Sequence, residues 1–92
     1  MSKSLVRQSH REIVKRLKRA HGHLGTVIEM VEQGRDCLDV AQQLHAVEKA
    51  IANAKKILIR DHIDHRLEHS VGSRGRAANE SIRELKEIAK YL

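Results

Sequence analysis

Residues 36–69 read DCLDVAQQLHAVEKAIANAKKILIRDHIDHRLEH. The run holds neither glycine nor proline, and Val40, Leu44, Val47, Ile51, Ala54 and Leu58 recur at steps of four and three. That spacing puts six apolar side chains along one side of a single long α-helix. The chain's only cysteine, Cys37, opens the seam, and His62 and His65 lie at its far end. At ~1.5 Å of rise per residue, Cys37 and His62 are roughly 37 Å apart on a straight helix. One chain therefore cannot close thiol and imidazole on a common ligand. A second copy running antiparallel places its His62 end beside the first copy's Cys37, so a site built from these residues lies between subunits.

Outward from this helix the pattern stays helical. Ser9 with Glu12 fits a capping box, after a stretch 1–8 that reads as frayed or weakly helical. Ile13, Leu17, Ala20, Leu24, Val27 and Val31 then repeat at helical steps, and Gly34 is a natural stop. Gly22 and Gly25 lie inside this helix, where a close helix crossing is one reason to carry them. The loop 33–35 is short, so the first two helices should form an antiparallel hairpin, with Asp36 capping the second and Asp39 in its first turn. Residues 70–76 read as a glycine-bearing basic linker, and Asn79 or Ser81 should cap a short third helix carrying Ile82, Leu85, Ala89 and Leu92. The expectation is an all-α chain forming one domain over residues 1–92.

Composition agrees. Ninety-two residues without Phe, Trp or Pro must build their interior from aliphatic side chains, which suits helix packing and oligomerisation. The lone cysteine suits a reducing compartment, and no apolar run is long enough for a bilayer, so a cytoplasmic protein with no membrane partner is expected. The formal net charge is +6. Before Gly22 stand seven cations (Lys3, Arg7, Arg11, Lys15, Arg16, Lys18 and Arg19) against one acid, Glu12. Arg7, Arg11, Lys15 and Lys18 share a helix face, and an oligomer would repeat that stripe so that phosphate contacts sum across copies. Double-stranded DNA is the expected partner. A basic helical adaptor for RNA or an acidic protein is the alternative of another class. No phosphate loop, carboxylate pair or complete triad suggests an enzyme.

A thiolate with neutral imidazoles suits borderline metals such as Ni, Co, Zn and Cu. His62 and His65 are three apart and His65 and His69 four apart, so adjacent pairs can face one way. His10 continues the first seam as a further candidate. His45 sits beside the second seam and reads as half-buried, while His21 and His23 read as facing solvent or phosphates.

RLKRAHGHL (16–24), the run 36–58 opening on Cys37, and DHIDH (61–65) together resemble the small all-helical repressors that sense copper, nickel/cobalt or formaldehyde, the CsoR/RcnR/FrmR family. The resemblance extends from about His10 to Tyr91. It implies a three-helix protomer whose antiparallel hairpin dimerises into a four-helix bundle, with dimers pairing into a tetramer. It also implies operator binding that is lost when an inducer occupies an intersubunit site. Carried over by position, Arg16 and Arg19 contact DNA, beside Arg11 and Lys15 of the stripe. Cys37 and His62 would form the inducer site, with Glu84 near the family's third-helix glutamate; His65, His69 and His10 are candidates for a further ligand by residue type and place, not by the resemblance.

Departures from the family pattern bear on the inducer. Copper members carry a second cysteine where this chain has Arg66, and a tyrosine where it has Asp36. Some nickel/cobalt members carry a histidine at the Arg66 position, and their N-terminal histidine is matched here by Leu5. Formaldehyde members pair the cysteine with an N-terminal proline amine, and this chain would begin at Ser2. The single cysteine excludes a two-cysteine persulfide sensor. The histidine cluster favours nickel or cobalt, with zinc compatible and Cu(I) disfavoured. A formaldehyde-responsive repressor using Cys37 as nucleophile is the alternative.

Overall fold

The computed structural model describes the backbone of residues 2–70 and 75–92, and the side chains of residues 9–68, 75 and 79–92. Three α-helices follow in order: α1 (Ser2–Glu32), α2 (Cys37–Ser70) and α3 (Arg76–Ala89). Among the described residues there is no strand, and no helix is long and apolar enough to cross a membrane. The chain divides into two compact units, Met1–Ala54 and Lys55–Leu92, and α2 runs through both.

The first unit is a helical hairpin, and its turn is legible to the atom. Gly34 has φ +69°, and its N–H donates to the Val31 carbonyl at 3.0 Å. The Arg35 N–H donates to the Met30 carbonyl, also at 3.0 Å. These two bonds are the Schellman pair, which satisfies carbonyls that the end of α1 would leave open. Glycine is required here because a Cβ is costly at positive φ. Asp36 then supplies the carbonyl that accepts the Val40 N–H at 3.0 Å, and α2 begins on Cys37.

Ile13, Ala20, Val27 and Met30 of α1 and Val47 and Ala54 of α2 make the buried core of this unit. Only part of each sequence seam is covered. Leu44, Ile51 and Leu58 stand 41%, 44% and 42% exposed, and Leu17 and Val31 are exposed as well. The apolar arc of each helix is wider than one neighbouring helix can cover, so a second flank stays open. At the end of α1 the buried position is Met30 rather than Val31, one step round the helix.

Other boundaries also move. α1 starts at Ser2, and Ser9 lies inside it rather than capping it, because nothing in 2–8 breaks a helix. The side chains of Ser2 and Leu5 lie outside the described residues. α3 starts at Arg76, with Gly75 at the N-cap position and no side-chain cap; Asn79 and Ser81 are interior to it. The break falls at Gly75, whose φ is +73°. Of the expected linker 70–76, residues 71–74 lie outside the described residues. A Cβ built on Gly22 or Gly25 would meet nothing within 4 Å, so no close crossing in the described structure accounts for either glycine.

In the second unit Ile59 is buried, and Ile57, Ile63, Leu85 and Ile88 are half-buried. This unit joins the C-terminal half of α2 to α3.

Candidate functional site

Cys37 is the first residue of α2, and its thiol is free and exposed. It heads an exposed flank of that helix: Cys37, Leu44, Ile51 and Leu58 follow at steps of seven, and His62 comes four residues after Leu58. Steps of seven and four keep side chains on one side of a helix. The sequence seam therefore splits in two. Val47 and Ala54 face the hairpin core, while Cys37, Leu44, Ile51 and Leu58 stay exposed and His62 is half-buried.

His62 sits in the second unit, where α3 reaches it. Its Nε2 lies 3.0 Å from Glu84 Oε1. One helical turn on, Arg66 Nη2 donates to Glu84 Oε1 at 3.1 Å and to Oε2 at 2.9 Å. An ionised carboxylate only accepts hydrogen bonds, so the contact suits an Nε2–H on His62, and in the neutral ring that tautomer leaves the lone pair on Nδ1. This is the arrangement in which a second carboxylate orients a metal-binding histidine. The residues fit a thiolate–imidazole donor pair, with Cys37 and the Nδ1 atom of His62 as donors.

The other histidines separate by environment. His65 is half-buried, and the His69 side chain lies outside the described residues. His10 is exposed and borders an open groove with Arg11, Val14 and Lys15. His23 does not simply face solvent: its Nε2 is 2.6 Å from Gln43 Oε1, so the ring ties α1 to α2 within the hairpin. His45 is exposed rather than half-buried. Among the described residues no group of three or more His, Cys, Asp or Glu is placed to hold a metal ion within one protomer.

Arg11, Lys15, Arg16, Lys18 and Arg19 are all exposed on α1. Arg16 is 3.7 Å from Glu12 Oε1, one turn earlier, a surface pair of little energetic weight that leaves the guanidinium available. The Glu84–Arg66 pair and the His23–Gln43 bond are not foreshadowed by the sequence pattern, although Glu84 itself is. Both join residues about twenty positions apart, and periodicity carries no signal for such pairs.

The family described as metal-sensitive transcriptional repressor matches residues 9–91 of the chain. A copper-sensing transcriptional repressor CsoR of Mycobacterium ulcerans (strain Agy99) is 35% identical over 82 residues, covering 88% of this chain and 68% of that protein. The copper-sensing transcriptional repressor CsoR of Bacillus subtilis (strain 168) is 33% identical over 91 residues, covering 96% and 88%. Among solved structures, the nickel-responsive transcriptional regulator InrS superposes with a TM-score of 0.78 at 29% identity, covering 89% of this chain and 91% of that one. These relatives correct the expectation on the inducer, which favoured nickel or cobalt, allowed zinc and set Cu(I) aside: the similar curated proteins are named copper-sensing. The case against Cu(I) rested on Arg66 standing where a second cysteine is expected. A soft thiolate is itself a Cu(I)-selecting donor, and the Arg66 guanidinium is engaged by Glu84.

Proposed function

The chain belongs to the metal-sensitive transcriptional repressors, regulators and not enzymes, and from that premise we propose that it binds operator DNA as an oligomer and is released by Cu(I), which Cys37 of one subunit and His62 of another would hold. The observation that carries this reading is the open flank of α2. If two copies of the helix run antiparallel so that Cys37 meets His62, the same register pairs Ala41 with Leu58, Leu44 with Lys55 and Glu48 with Ile51. Every one of these positions belongs to the open flank, and the Lys55 stem can cover Leu44 while its ammonium reaches water. The register that joins the two donors is thus the register that buries the exposed leucines and isoleucine.

Each part of the chain then has a task. The basic face of α1 supplies phosphate contacts, which repeat with each copy. Cys37 gives up its proton and offers sulfur. Glu84 holds the Nε2–H of His62 so that Nδ1 faces the partner's thiolate. The metal, when bound, supplies a bond between subunits that DNA-competent packing lacks. Release requires the inducer to favour the off-DNA state, typically by about 1–3 kcal/mol of coupling. The protein acts in the cytoplasm, where a lone thiol stays reduced.

The test is operator binding by the reduced protein, measured across salt concentrations with and without Cu(I) under anaerobic conditions. Affinity should fall by about a thousandfold or more between 50 and 200 mM salt, as for six or more phosphate contacts. Stoichiometric Cu(I) should weaken it a further 5- to 150-fold. Tight salt-sensitive binding that Cu(I) leaves untouched would retain the repressor and refute the inducer.

A further inference from the structure

His62 and Arg66 are one helical turn apart on α2, and both reach the same carboxylate on α3. The imidazole Nε2 and the guanidinium Nη2 lie at 3.0 and 3.1 Å from one oxygen, Glu84 Oε1, while Nη2 also takes Oε2 at 2.9 Å. One guanidinium nitrogen thus meets both carboxylate oxygens and anchors the carboxylate whose Oε1 meets the imidazole. A glutamate held by one bond keeps much of its rotamer freedom, and a second anchor removes it. Arg66 and Glu84 are 43% and 42% exposed, so their attraction adds little to folding stability. What the pair contributes is geometry.

We propose that Arg66 is a positioning residue of the inducer site: acting through Glu84, it commits the Nε2–H of His62 and so presents Nδ1 to the inducer. Its position does not supply a ligand; it replaces a ligand with a brace. The inference rests on His62 being an inducer ligand, but its first readout does not require a metal. Arg66 also gains a role in specificity, because a site braced in this way offers one defined nitrogen in one defined direction.

The experiment compares the wild-type protein with Arg66→Met, which keeps a long apolar stem and removes every donor, with Glu84→Ala, and with the double variant. In metal-free protein, at a pH where imidazole is neutral, the ring nitrogen shifts of His62 report its tautomer. Wild type should show the Nε2–H form alone, and Arg66→Met a mixture with Nδ1–H. Cu(I) affinity, measured against a competing chromogenic chelator, should fall about tenfold in Arg66→Met. The Arg66 change should cost nothing further in the Glu84→Ala background, because it acts through that residue. An unchanged His62 tautomer in a folded Arg66→Met protein overturns the proposal, and so does a loss of affinity that adds in full to that of Glu84→Ala. If wild type binds no Cu(I), the inducer reading fails by itself, and the tautomer measurement still decides the role of Arg66.

Discussion

Replacing Cys37 with alanine should leave operator affinity at the wild-type level and remove Cu(I)-driven release entirely. The thiol is exposed and opens α2 without supporting the hairpin core, so its loss leaves no cavity. Alanine is a strong helix former, so the helix start is not weakened. The basic face lies on the other helix, and the variant keeps every cation on it. What disappears is the sulfur donor and with it the whole coupling, a 5- to 150-fold change in DNA affinity on adding Cu(I) that drops to none. Titrating a labelled operator duplex with protein, with and without Cu(I), measures both quantities. Normal release in Cys37→Ala would remove this residue from the inducer site.

Ile51→Asp should act at a different point, with Cys37 and His62 unchanged in each chain but the assembly, and with it DNA binding, lost. Ile51 is exposed in the protomer, while Val47 and Ala54 on the same helix are buried, so the hairpin should remain folded. In the proposed register Ile51 faces Glu48 of the other copy. An aspartate there brings two like charges into an interface meant to be apolar, and by symmetry it does so twice. Uncompensated charge in a buried interface costs several kcal/mol, enough to dissociate a small assembly. Because phosphate contacts are shared among copies, a lone protomer should bind operator DNA at least about a hundredfold more weakly. Light scattering and DNA titration on the same sample test both halves. A variant that stays oligomeric and binds normally would mean that Leu44, Ile51 and Leu58 face something other than a second copy.

The reasons these features were or were not legible in the sequence are physical. Residues 36–69 announced one long helix because its period is local and nothing in it breaks a helix, and α2 is found at Cys37–Ser70. Gly34 announced the turn because a positive φ has one cheap residue. Caps were a weaker guide. Ser9, Asn79 and Ser81 each resemble a start signal, yet the helices begin at Ser2 and Arg76, since a polar residue inside a helix costs only a fraction of a kcal/mol. The seams showed which residues are apolar but not which flank a single neighbour would cover, so the separation of Val47 and Ala54 from Leu44, Ile51 and Leu58 emerged only in three dimensions. At the site, Cys37 and His62 stood out by residue type and spacing. The brace of Arg66 on Glu84 did not, because two residues on different helices are related by packing alone.

If the inducer site takes its thiolate from one subunit and its imidazole from another, mixed assemblies should restore it. Cys37→Ala and His62→Ala are each prepared alone and then co-assembled, and each preparation is titrated anaerobically with Cu(I) while thiolate-to-metal charge-transfer absorption is followed. Neither variant alone has both donors at any site, so neither should bind Cu(I) tightly: Cys37→Ala lacks the thiolate that gives the band, and His62→Ala should give it only with excess Cu(I). In a mixed pair, the Cys37 of the His62→Ala subunit faces the His62 of the Cys37→Ala subunit, and one complete site returns. On mixing, tight Cu(I) binding should reappear, with the band developing at stoichiometric Cu(I). Mixed assemblies as silent as the separate variants, in a sample shown to contain both chains, would contradict a site shared between subunits.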